Sequence, residues 1–204
     1  MKKLVLFVLV DEFADHEYPF LASSLQDGIK ELQSPYEVKT LAVSKDPLKS
    51  MGGFTILPDY SINDCPDDFS ALVLIGGNTW RDTKAKLFAP LLKDSMDKGR
   101  IVGAICDATV FMGMNALLNT KKHTSNTLSD LMAAGKDSYT GQNNYQYEQA
   151  VRDGNLVTAN GSAYLEFTAE VLEALDAFPL DYIQEDYRLY KFGYYEAIAS
   201  ATNP

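Results

Sequence analysis

The chain has 204 residues, 46 % of them hydrophobic, a formal net charge of −10 and only two cysteines. That length and apolar content fit one domain over 1–204 with a sizeable core and argue against intrinsic disorder. The acidic balance argues against nucleic acid, because a negative surface repels phosphate backbones, and two thiols with two histidines are too few for a disulfide framework or a tetrahedral zinc site.

Lys2-Lys3 ahead of the apolar run Leu4 to Val10 imitates a secretory leader. The run is short, ends in Asp11-Glu12 and has no small-residue cleavage site, so a first strand buried on both faces is the better reading. Glu17 to Glu31 places Phe20, Leu21, Leu25 and Ile29 at helical spacing. Val38 to Val43 reads as a second strand, and Met51 to Leu57 as a short hairpin turning at Gly52-Gly53. Ala71 to Ile75 is a third buried strand ending in Gly76-Gly77. Thr83 to Lys98 is a helix with Leu87, Leu91, Leu92 and Met96 on one face. Ile101 to Ile105 is a fourth strand, followed at once by a helix from Ala108 to Leu118. Thr127 to Ala134 is helical, and Asp153-Gly154 joins Glu148–Val151 to Leu156–Ala159 as a hairpin. Ala163 to Ala177 and the tyrosine-rich Leu180 to Ala199 are the last two helices. No stretch approaches the roughly 20 apolar residues of a membrane span.

Strand alternating with helix predicts an α/β fold, a doubly wound, flavodoxin-like, mostly parallel sheet sandwiched by helices. Chemistry in such folds lies at the C-terminal strand ends. Three loops then converge: Asp11 to Glu17, Gly76 to Asn78, and Cys106-Asp107. The run Ile101-Val-Gly-Ala-Ile-Cys106-Asp-Ala carries a small apolar strand straight into a cysteine and then a helix, as a nucleophile elbow does. A helix N-terminus favours thiolate and lowers a thiol pKa. The same placement suits a small buried hydrophobe, and the local sequence leaves both readings open.

Five ordered pieces together resemble the DJ-1/PfpI (ThiJ/PfpI, class I glutamine amidotransferase-like) superfamily. They are Asp11-Glu-Phe-Ala-Asp-His-Glu17, Leu74-Ile-Gly-Gly77, Gly103-Ala-Ile-Cys106, His123-Thr-Ser, and Val157-Thr-Ala-Asn-Gly161 through Glu166-Phe167. The resemblance implies that Cys106 is the nucleophile or redox thiol, with Glu17 beside it as a neutral acid donating to the thiolate. It implies Gly76, Gly77 and the Asp107 N–H as the oxyanion-binding corner, no cofactor, and a cytoplasmic homodimer. Two departures stand out. Asp107 replaces the histidine that protease-like members place after the cysteine, and no histidine follows His123, so a conventional triad is missing. Asp107 then supports the elbow or acts as a base itself, and His123 is the other base candidate. Asp15, His16 and Glu17 look like a metal trio, but neighbours on one loop rarely converge on one ion, so no metal is expected. Cys65, before Pro66 in a polar loop, reads as a bystander. The aromatic tail reads as a packed helix or as a subunit contact.

Three functions remain in contention. One is a cofactor-free, glyoxalase-like enzyme on small carbonyl or amide compounds in stress protection. Another is a non-enzymatic redox-sensing or chaperone-like stress protein whose thiol meets an oxidant. The third is a pseudoenzyme or small-ligand binder that uses the old site.

Overall fold

Alternation of apolar side chains along the first strand decides the layering. The computed structural model describes residues 2–197. In β1 (Lys3–Val8) and just beyond it, Val5, Phe7 and Leu9 enter one core while Leu6, Val8 and Val10 enter another. Each fully buried aliphatic or aromatic side chain contributes roughly 1.5–3 kcal/mol, and a one-residue slip of this strand would send each set into the opposite core and force both to repack.

The remaining strands are β2 (Tyr36–Ala42), β3 (Leu48–Lys49), β4 (Thr55–Ile56), β5 (Tyr60–Ser61), β6 (Ala71–Leu74), β7 (Ile101–Ile105), β8 (Ala150–Asp153) and β9 (Leu156–Ala159). Seven of them form one sheet in the order β5-β2-β1-β6-β7-β9-β8, parallel except for the β8–β9 pair. β3 and β4 pair separately as an antiparallel hairpin. Helices α1 (Pro19–Asp27), α5 (Tyr164–Ala174) and α6 (Leu180–Phe192) supply Leu21, Phe167 and Ile183 to the first core. α2 (Ala89–Asp97), α3 (Asp107–Met114) and α4 (Leu128–Gly135) supply Leu92, Phe111 and Leu131 to the second. The α/β layering and the mostly parallel sheet are those expected from the strand–helix alternation. Among the described residues no helix is long and apolar enough to cross a membrane.

Element boundaries differ from the periodicity for local reasons. The first helix begins at Pro19 rather than Glu17 and stops at Gly28, whose φ of 101° suits glycine. Glu17 is thereby left in a loop. The segment from Thr83 splits into a 3₁₀ turn (Thr83–Phe88) and α2, because Pro90 has no N–H to continue a helix. Leu87 consequently misses the core and is 52 % exposed. The helix after Cys106 starts at Asp107 and ends at Met114 rather than Leu118, and Ala116 then turns with φ 60°. α6 ends at Phe192, where Gly193 has φ 89°. The helical tail resumes at 194–197, and the last two residues of the expected span lie outside the described residues. β5, a two-residue edge strand, was too short to show in the pattern.

β1 has β2 on one side and β6 on the other, so the chain order reverses between β1 and β6. In a parallel sheet the crevice above that switch point is where loops part and a ligand can enter.

Candidate active site

Cys106 is the single turn residue between β7 and α3, with φ 60° and ψ −131°. A non-glycine residue there stores roughly 1–3 kcal/mol of strain, which the surroundings must over-determine. They do so from both sides. Its N–H donates to Ala159 O at 3.0 Å, and its carbonyl accepts from Thr109 N at 3.0 Å and Thr109 Oγ1 at 2.6 Å. Thr109 is in turn tied to Ser125 at 2.6 Å. Small residues make room: a Cβ on Gly103 would meet Phe167 Cζ at 2.9 Å, and one on Gly161 would meet Cys106 Sγ at the same distance.

Glu17 arrives from the loop after β1 and is 2 % exposed. The loop is pinned across the switch point, Ala14 N donating to Gly76 O at 2.9 Å and Asn78 N to Glu12 O at 3.2 Å. Oε2 of Glu17 accepts the Gly76 N–H at 2.7 Å. A Cβ on Gly76 would overlap that oxygen and lie 2.7 Å from Cys106 Cβ, so this position needs glycine for space. Oε1 is buried without a hydrogen-bond partner, and the Glu17 carboxyl interacts with the Cys106 thiol.

Burial raises the Glu17 pKa, against the lowering effects of Cys106, the Gly76 N–H and His16. Burial also pushes the Cys106 thiol up to about 11, helped by the Glu17 charge and opposed by Asn126 and the Asp107 N–H. The lowered thiol pKa expected from the helix N-terminus is therefore reversed. Desolvation and a neighbouring carboxylate outweigh the donors, since two anions this close and this dry oppose each other. Each group therefore disfavours ionisation of the other.

Asn126 is the residue that reading the sequence missed. Its Nδ2 donates to Cys106 Sγ at 3.3 Å, and its Oδ1 accepts the Gly161 N–H at 2.8 Å. One amide thus fixes the sulfur from the side opposite the strand and closes the β9 loop over it. Asn126→Ala is expected to slow alkylation of Cys106 by roughly 10-fold or more at fixed pH, since a hydrogen bond to a charged group is worth about 1.5 kcal/mol or more. Peptide mass spectrometry over a time course reads this, and an unchanged rate would mean that the contact does not bear on the thiolate.

The other predicted residues are placed differently. His123 is fully buried, its Nδ1 at 2.7 Å from Lys121 O and its Nε2 at 2.7 Å from Tyr139 Oη. Burial also holds its pKa down. With both ring nitrogens occupied, His123 serves as an interior clamp and is not a base for Cys106. Asp107 is clamped as well: Arg81 Nε reaches its two oxygens at 3.1 and 3.0 Å, and the same guanidinium binds Asp130 at 2.6 and 3.1 Å. The Asp107 carboxylate is therefore a partner for Arg81 rather than a free base, while its N–H faces the sulfur. Gly76 gives its N–H to Glu17, so it does not supply an oxyanion donor. Gly77 is pressed against Val10 and the Glu12–Phe13 backbone, where a Cβ would meet Val10 Cγ2 at 2.8 Å.

The loop trio separates too. Asp15 turns to the hairpin and accepts the Gly52 N–H at 2.6 Å, whereas Glu17 turns to Cys106. Between them His16 lies at the mouth, 63 % exposed, with Nε2 3.9 Å from Glu17 Oε1. Among the described residues no three histidine, cysteine, aspartate or glutamate side chains are grouped to hold a metal ion. Cys65 lies far along the chain in a half-buried loop, its Sγ 3.6 Å from Pro66 O.

Comparison with known proteins leads to the same fold. The DJ-1/PfpI family model matches residues 3–174. The "Uncharacterized protease YdeA" of Bacillus subtilis is 37 % identical over 100 % of this chain and 98 % of its own. The "Glutathione-independent glyoxalase DJR-1.2" of Caenorhabditis elegans is 24 % identical over 65 % of this chain and 70 % of its own. The crystal structure of a thiJ/pfpI family protein from Bacillus anthracis superposes with a TM-score of 0.90 at 34 % identity, covering 100 % of this chain and 97 % of that one.

Proposed function

The chain belongs to the DJ-1/PfpI family, and from that premise we propose that it is a cofactor-independent, glyoxalase-like enzyme in which Cys106 attacks small carbonyl compounds. The observation that carries this reading is the unpartnered, buried Oε1 of Glu17 directed at a thiol on a strained turn. A buried carboxylate whose pKa is raised is a stronger base than an exposed one and is suited to act as a general base. As the S–C bond forms, the thiol proton passes to Glu17 Oε1 and the carbonyl electron pair moves to oxygen. The Asp107 N–H and the Asn126 amide lie beside the sulfur, where they stabilise the thiolate that attacks and that leaves again when product is released. The activated state, thiolate beside neutral Glu17, is the arrangement that the family resemblance implied.

Peptide hydrolysis is the poorer reading, although relatives are named as proteases. No histidine meets Cys106, and an amine leaving group needs a strong proton donor. The glyoxalase activity in the name of the nematode relative supports the carbonyl reading. The test is conversion of methylglyoxal to lactate by the purified protein without added thiol; no conversion at any pH between about 6 and 9, around the usual operating pH of general acid–base catalysis, would discard the enzyme reading in favour of a small-ligand binder. A redox role has one supporting observation, the donors of Asn126 and Asp107 around Sγ, which would also hold sulfinate oxygens. Mild peroxide should then oxidise Cys106 ahead of Cys65, and equal oxidation would count against it.

The protein works in this proposal as a cytoplasmic homodimer. Met51, Phe54 and Leu57 are 48, 71 and 69 % exposed on and beside the β3–β4 hairpin, an apolar face suited to a second copy. Light scattering should give twice the chain mass at micromolar concentration, and a monomer would refute the dimer.

A further inference from the structure

We propose that His16 is the proton gate of the site, carrying protons between solvent and the buried Oε1 of Glu17. This gate deepens the proposed carbonyl chemistry and rests on that reading for its turnover arm alone. Glu17 is 2 % exposed and cannot exchange protons with water by itself. Its Oε2 is used by Gly76, which leaves Oε1 as the one open position. His16 Nε2 stands 3.9 Å from that atom while most of the ring remains in solvent. The gap is too narrow for a bridging water, and closing it to hydrogen-bond distance needs about 1 Å of side-chain movement.

The ring is held at this post. It meets Tyr164 edge-on, with centroids 6.5 Å apart, and Tyr164 is stacked on Phe20 at 5.5 Å. Phe20 in turn receives the edge of Tyr190 from α6 at 4.6 Å. The titratable neighbours facing His16 are Asp15 and Glu17 on its own loop and Tyr164 at the start of α5. Alternatives are spent: His123 has both nitrogens engaged, Asp107 is clamped by Arg81, and Asn126 does not titrate.

The transfer balances simply. Cys106 loses its proton to Glu17 Oε1 as sulfur bonds to carbon. Glu17 hands a proton to the product oxygen or, through Nε2 of His16, to water, and the reverse hop restores the resting pair. Imidazole suits this step because it exchanges protons in both directions in the physiological range.

The test compares wild type with His16→Asn, which keeps a polar side chain without titration. Alkylation of Cys106 by iodoacetamide is followed from about pH 5 to 10, a range spanning imidazole and thiol titration, by peptide mass spectrometry with Cys65 as internal control. The variant is expected to alkylate Cys106 roughly 3-fold or more slowly than wild type near neutral pH, with Cys65 unchanged; superimposable profiles would overturn the proposal. This arm needs no substrate, so it stands even if methylglyoxal is not turned over, which would sink the carbonyl reading by itself. With turnover, the variant is expected to lose about 10- to 100-fold in kcat with KM nearly unchanged, and added imidazole to restore part of it. An unchanged kcat, or a loss that imidazole leaves untouched, would likewise overturn the gate.

Discussion

Cys106→Ser is expected to lower dicarbonyl turnover by on the order of 10⁴-fold or more, to the limit of detection, while the melting temperature stays within a few degrees of wild type. The reason lies in the turn and its surroundings. The backbone at residue 106 is held by Ala159 and Thr109 and not by the side chain. Serine therefore takes the same strained φ, and its smaller oxygen fits the space that Gly161 leaves. What is lost is nucleophilicity: a hydroxyl in this half-buried, anion-facing position is a far weaker nucleophile than a thiol, and Glu17 is too weak a base to ionise it. Steady-state rates on methylglyoxal with circular dichroism melts of both proteins decide the matter. Full turnover in the variant would remove Cys106 from the chemistry, and a collapsed melt would recast it as structural.

Glu17→Gln is expected to split reactivity from turnover. Without the carboxylate, the main charge that opposes thiolate disappears, so the thiol should titrate well below the value of about 11 to which burial and Glu17 push it. Alkylation near neutral pH should then rise by roughly 10-fold, the effect of one pH unit, while turnover falls by about 10²-fold or more for want of a general base. Slower alkylation would mean instead that wild-type Glu17 already holds the proton and the sulfur the charge. A stability signature accompanies this. A carboxyl whose folded pKa is raised contributes its full stability below the unfolded value, and that stability is lost as pH rises through the folded value. The variant, uncharged at every pH, should melt a few degrees above wild type at slightly alkaline pH, corresponding to roughly 1–2 kcal/mol. The gap should close near the unfolded carboxyl value, about pH 4. A gap that is constant across pH would show that the carboxyl is not ionised in the wild-type fold.

Much of the fold was legible because its signals are local. β1, β6 and β7 are unbroken apolar runs, and a short run buried on both faces fits little besides a central parallel strand. The meeting of the loops that carry Cys106 and Glu17 was legible for a topological reason, since strand ends in a parallel sheet converge, while the roles of the two residues came from the family resemblance. The remaining site residues were hidden by chain separation. Asn126 meets the sulfur from far downstream, through a loop fixed by its bond to Gly161, and nothing in Ser125-Asn126-Thr127 announces it. Asp107 looked like a free acid because its neutraliser, Arg81, lies on another loop. His123 looked like a base because a sequence does not show that Tyr139 and Lys121 take both ring nitrogens. Asp15, His16 and Glu17 stand side by side in the sequence, whereas the backbone sends the two carboxylates apart. The upward push of burial on the thiol was hidden for a related reason: a helix terminus is visible in sequence, but dryness is not.

The positive φ at Cys106 has an evolutionary consequence. Glycine is the residue that occupies that region without steric cost, so among single substitutions at position 106 the one that relaxes the turn is also one that removes the sulfur. A lineage released from the need for this thiol would find its loss conformationally favoured, by about 1 kcal/mol or more.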